Sequence, residues 1–304
     1  MLEIVILKMM IEIEHFRRSL QAFKKIPKAI IDEENKLNKE LLKLFKKPFK
    51  KIMDKLKGME NVPSSDMEMK ILLSDLADIA EDFGNVLFDN KQETLNYARA
   101  KTISEIEKAK KKAIKAKKIP KPIAGISFMD YSPELLRLIK EKTFVASQHT
   151  LDRMIGDIMK NLSQSYQDGL GINKAADNLK EVFDSMEDYQ LKRIARTEIN
   201  GAQNEGAYQT MLELELEYQQ WWSAQDSKVR GNDPKDKADH VYMHAQIVRV
   251  GQPFSNGLYY PGDRSGDISE WIECRCRPVP FNMPEGYRAP DMDYFYESDL
   301  IKIE

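Results

Sequence analysis

Glu217-Tyr218-Gln219-Gln220-Trp221-Trp222 is where the sequence changes texture. Before this stretch apolar residues recur at helical spacing. After it, short apolar and aromatic runs stand between Gly, Pro, Asn and Asp. The first pattern reads as helix and the second as short strands joined by turns. Strands are expected at Trp221-Trp222, Val248 to Val250, Leu258-Tyr259-Tyr260 and Trp271 to Cys276, with a short helix at about 236–246 among them. Upstream, helices are expected at about 132–146, 148–168, 173–185 and 188–215. Ser132-Pro133-Glu134 supplies a cap with proline in the first turn, Gly169 and Gly171 stop one helix, and Asn173 starts the next. The fold class is α+β, a largely helical N-terminal half followed by a compact α+β domain with short antiparallel strands.

The N-terminal half reads as helix over 3–58, interrupted at Pro27 and Pro48. Between those prolines Ile30, Ile31, Leu37, Leu41, Leu42 and Phe45 form an apolar row, and lysines fill the other face. Ser65 or Asp66 caps a following helix whose stripe runs from Ile71 to Leu87. A further helix is expected from about Lys91 to Lys118, with little to bury in its second half. Pro120, Pro122 and Gly125 mark a boundary. Three regions follow: a basic helical region, 1–121, facing a partner or DNA; an α+β domain, 122–281; and an acidic tail, 282–304.

The 304 residues are 42% apolar and 32% charged, with a mean hydropathy of -0.55. The longest uncharged run, Val250 to Gly262, has 13 residues and contains Gly and Pro, so no membrane span is expected. Charged residues interrupt the N-terminal apolar stretch, so no signal peptide is expected. Two cysteines make no disulfide framework and fit a reducing compartment. The net charge of -2 conceals segregation, with +9 over Arg17 to Lys57 and +7 over Lys101 to Lys121. Such blocks are commonly solvated faces. They are also suited to duplex phosphates, which lysine neutralises without reading sequence. The candidates are Lys46, Lys47, Lys50, Lys51, Lys110, Lys111, Lys112, Lys117 and Lys118.

His240 and His244 stand four apart on the expected helix, and Cys274 and Cys276 two apart on the expected strand. Each pair would share a face, and together they could supply four zinc ligands. The plainer reading takes the thiols as core residues and the histidines as surface. No P-loop, GxGxxG or GxSxG motif is present.

The order of the remaining motifs says more than any one alone. Ile194-Ala195-Arg196-Thr197-Glu198 is followed by Asn200-Gly201 and Asn204-Glu205-Gly206. Then come Trp222, Ala224, Asp226, Arg230 and His240, the turn Tyr260-Pro261-Gly262-Asp263, and Glu273-Cys274-Arg275-Cys276. This series resembles the C-terminal domain of the phage Mu F-like minor head protein family, also called the phage head morphogenesis family, over about 150–281. Nine residues, Gly231 to Asp239, separate Arg230 from His240, where the family has about two. The resemblance implies a minor virion component inside the capsid at the portal vertex, assembled in the host cytoplasm. Its implied partners are the portal protein, capsid or scaffold proteins and packaged duplex DNA, with no membrane contact and no enzymatic activity. The alternative is an effector enzyme, a zinc-dependent nuclease or a nucleotidyl- or ADP-ribosyl-transferring domain. It would need Arg196, Glu198, Asp226, Arg230 and His240 to converge on one open cleft.

Overall fold

The computed structural model describes residues 27–115 and 131–303, with the backbone alone over 108–115. These residues divide into two compact units. A helical unit comprises Asp32–Glu93 and Tyr131–Glu198, and a mixed unit comprises 27–31, 94–115 and 199–303. The units interleave along the chain.

The helical unit is built from α1 (Lys28–Lys57), α2 (Asp66–Leu72), α3 (Ser74–Ala77), the first turns of α4 (Ala80–Lys115), α5 (Pro133–Gln167), α6 (Ile172–Ser185) and the start of α7 (Leu191–Glu213). A π-turn, Met186–Gln190, joins α6 to α7. On α1 the residues Leu37, Leu41, Phe45, Phe49, Ile52 and Leu56 follow helical spacing and are buried. Phe45 meets Phe83 edge-on at 5.4 Å, and Phe49 stacks on Phe183 at 4.1 Å. The expected interruption of α1 at Pro48 does not occur. An interior proline costs roughly 3 kcal/mol. Here Pro48 and Phe49 are both buried, and aromatic burial of this kind offsets a cost of that size. Pro27 lies at the start of the helix, where its carbonyl accepts from the Ile30 N–H.

Two other expected breaks are absent. The helices at 132–146 and 148–168 are one helix, α5, because Ser147 and Thr150 bond the carbonyls of Phe144 and Ala146 within the helix. Likewise α4 runs through 87–91, where Asn90 donates its amide to Val86 O at 2.9 Å and to Glu40 at 2.6 Å. Caps are satisfied as sequence chemistry requires. Ser65 and Glu68 form a capping box on α2, and Ser132 accepts from Leu135 N at the start of α5. Gly169, at φ +65°, terminates α5, and Gly171 rather than Asn173 caps α6.

The mixed unit holds an antiparallel sheet of order β2-β1-β3, from β1 (Tyr218–Trp222), β2 (Ile247–Arg249) and β3 (Arg277–Phe281). Tyr218 pairs with Arg249 on one side and Phe281 on the other. The central strand is covered on both faces. Gln219 and Gln220 are buried and donate to the carbonyls of Tyr259 and Ala245 at 3.0 and 3.1 Å. One core gathers Trp221, Val248, Phe254 and Leu258 with the two cysteines; another gathers Tyr218, Ile247, Phe281 and Phe295.

Several expected elements differ in this unit. The segment 236–246 forms turns and no helix, and Leu258-Tyr259-Tyr260 forms no strand. The expected strand Trp271 to Cys276 is a short helix, α8 (Ile268–Trp271), followed by a turn with Glu273 at φ +50°. Asp267 starts α8 by accepting from Ser269 N. Arg277 is buried at the start of β3. Residues 282–303, expected as a tail, fold onto the sheet edge. Phe295 and Ile247 exchange backbone hydrogen bonds, and β4 (Tyr287–Arg288) pairs with β5 (Ile301–Lys302).

Candidate metal centre

The two long connections of the mixed unit meet at His240, Cys274 and Cys276. His240 comes from the β1–β2 connection, and the cysteines lie just before β3. All three are buried, and their ligand atoms lie within 4.8 Å of one another. His240 Nδ1 is 3.7 Å from Cys274 Sγ and 3.5 Å from Cys276 Sγ. The other ring nitrogen, Nε2, is 3.0 Å from Glu270 Oε2, which also accepts from Asn256 Nδ2 at 3.1 Å. The Trp221 indole packs edge-on against the His240 ring at 5.1 Å.

The Gly231–Asp239 segment does not separate Arg230 from His240 in space. The amides of His240 and Val241 both donate to Arg230 O, at 2.9 and 3.0 Å. The segment closes on itself, with Asp236 accepting from the amides of Gly231 and Asp233. The Arg230 side chain bonds Ile272 O, which joins this connection to the strand of chain bearing the cysteines.

The electrostatics are those of a coupled cluster. Burial disfavours charge on the His240 ring, but hydrogen bonds to Cys274 and Glu270 outweigh it and raise its pKa to about 9. The Cys276 thiol and His240 hold Cys274 well below the ordinary thiol range. Cys276 is pushed up by the negative charge on Cys274 and by burial, against the opposing effects of the Trp221 indole and the Ala224 amide. The buried Trp221 N–H interacts with this sulfur without meeting full hydrogen-bond geometry. Hydrogen-bond donors therefore surround both sulfurs, and a carboxylate orients the imidazole.

His244 stands outside this group. Its Nδ1 accepts from Ser223 N at 3.2 Å, its Nε2 is 2.8 Å from Gln225 Nε2, and Trp222 packs on its ring at 4.4 Å. The helix that would have aligned it with His240 is absent.

Residues 156–279 match the family described as Phage Mu protein F like protein. Over these residues the chain is similar to the Phage Mu protein F like family. No curated protein and no solved structure matches the chain.

In the Mu F-like region the motif residues fall in two groups. Arg196, Thr197 and Glu198 lie on α7 within the helical unit. Thr197 Oγ1 donates to Arg193 O, Arg196 Nε lies 3.9 Å from Glu34, and Glu198 is buried. The other motif residues lie in the mixed unit. Asp226 receives both guanidinium nitrogens of Arg275, at 2.5 and 2.7 Å, and Arg275 holds its carboxyl below the usual range. Pro261, Gly262 and Asp263 form a turn against α7. Asn204 donates to Pro261 O at 2.8 Å and to Cys276 O at 2.7 Å. Asp263 accepts from Tyr259 N, Ser265 N and the Ser265 hydroxyl. An open depression of about 350 Å³ is lined by Ser223, Gln225, Asp226, Asn232 and His244; neither Arg230 nor His240 lines it. Asp226 pairs with Arg275, Arg230 bonds Ile272 O, and His240 bonds Glu270.

Glu270 and Asn256 were not singled out by sequence reasoning. Glu270 stands four residues before Cys274, a signal that gains meaning only with the turn between them. Of the lysine candidates, Lys46, Lys47 and Lys50 are exposed on α1, and Lys51 pairs with Asp75 at 2.6 Å. Lys110, Lys111 and Lys112 lie on the backbone-only turns of α4. Lys117 and Lys118 lie outside the described residues.

Proposed function

We propose that this chain is a structural minor head protein, seated at the portal vertex and facing packaged duplex DNA with its basic helix. The match over residues 156–279 supports the head role. The DNA-facing role rests on one observation in α1. Lys39, Lys43, Lys46, Lys50 and Lys57 are all exposed and fall at spacings of four, three, four and seven, on the side opposite the buried apolar stripe. At 1.5 Å rise per residue the row spans about 27 Å, enough to follow many phosphates of a duplex. Lysines so arranged bind backbone charge and leave the bases unread.

The test is a salt titration of binding to duplexes of unrelated sequence. Five phosphate contacts give a slope of about -4.5 in log K against log salt. The expected result is that slope for each duplex, falling toward zero in a Lys46→Glu, Lys47→Glu, Lys50→Glu variant. A flat salt dependence, or an unchanged slope in the variant, contradicts the DNA-facing role.

A further inference from the structure

We propose that His240, Cys274 and Cys276 bind one zinc ion that ties the two long connections of the mixed unit together. This inference is independent of the head-protein reading. It rests first on distance. Zinc–sulfur bonds of about 2.3 Å and zinc–nitrogen bonds of about 2.0–2.1 Å, at a tetrahedral angle, place sulfur and nitrogen about 3.6 Å apart. The observed separations are 3.5 and 3.7 Å, both to the same nitrogen, Nδ1. Both sulfurs converge on the one nitrogen within the range that a shared zinc ion would set.

The surroundings point the same way. With Glu270 holding Nε2–H, a metal that displaces the Nδ1 proton would meet an Nδ1 lone pair on the side of the sulfurs, the carboxylate–histidine arrangement common around zinc. Two thiolates and an imidazole select a thiophilic cation over magnesium or calcium. Among the described residues no fourth His, Cys, Asp or Glu joins the group, which leaves a fourth coordination position for an exogenous ligand.

The placement also explains what the ion does. Residues 223–246 contain no helix or strand. Connections of such length without structure are uncommon in compact domains. A buried ion fixing His240 to the start of β3 supplies the restraint that regular elements do not, since metal binding free energy is folding free energy.

The experiment uses the full chain, purified and stripped with a chelator, then titrated with zinc and separately with cobalt. Elemental analysis should give one zinc per chain. Cobalt should give the intense visible bands and thiolate charge-transfer absorption of a tetrahedral site with two sulfurs. At a hundredfold excess of free zinc over Kd, the Tm should rise by about 5–10 °C. Glu270→Gln should keep the stoichiometry and weaken affinity by about 10- to 100-fold. His244→Ala should bind as the parent does, and a Cys274→Ser, Cys276→Ser variant should lose the cobalt spectrum. If that double variant fails to fold, the stripped parent chain still decides. A folded stripped chain that takes up neither metal, or that gives an octahedral cobalt spectrum, overturns the proposal.

Discussion

Gly262 has φ +85°, and a Cβ there would lie 3.6 Å from the Cα of Gly201. Two glycines from distant motifs thus touch where the Pro261–Asp263 turn meets α7. Alanine at 262 would have to adopt a left-handed conformation that costs about 1–2 kcal/mol. Gly262→Ala should lower unfolding free energy by that amount, and urea titration of the two chains reads it. Equal stability would show that the turn relaxes freely. At this scale the sequence was partly legible. The Tyr260-Pro261-Gly262-Asp263 run announces a turn by its residue types, and Cys-x-Cys announces paired thiols. Glu270 was not legible, because its partnership with His240 spans 30 residues and depends on the fold of both connections. His244 was misplaced for the same reason, since its helical spacing from His240 has meaning only on a helix.

The helices were the most legible elements, because apolar spacing, caps and turn residues all agree along them. Their continuity was less legible. Pro48, Ser147 and Asn90 carry local signals for a break, and each is overruled by burial or by a bond to its own helix. The short strands were harder to place. Gln219 and Gln220 hide a buried central strand behind polar side chains, and the Glu273 turn interrupts a run that alternates like a strand. Between α1 and α3, Lys51 and Lys55 hold Asp75 at 2.6 and 2.5 Å, and these hydrogen bonds lower its pKa. A carboxyl so depressed adds stability above its unfolded pKa of about 3.9 and loses it as pH falls through the lower folded value. Both lysines are half exposed, so the contribution is about 0.5–1 kcal/mol. Asp75→Asn should cost that much at pH 7 and nothing near pH 2, as unfolding titrations at the two values would show. The same loss at both would mean that packing of the carboxyl, and not its charge, stabilises the contact.

At the scale of the whole molecule, the Mu F-like match covers 156–279 and so draws on residues of both compact units. None of the described helices is long and apolar enough to cross a membrane. The α+β class was legible from the change of texture near Glu217, but the interleaving was not. It depends on which distant segments group in space, which no local pattern records. The central claim, that this is a structural head protein acting at the portal vertex, is tested most directly by native mass measurement of the full chain mixed with the portal protein of the same phage. The account predicts a discrete complex whose mass gives a fixed, small number of chains per portal ring. Separate masses for chain and portal at concentrations that assemble heads would contradict it.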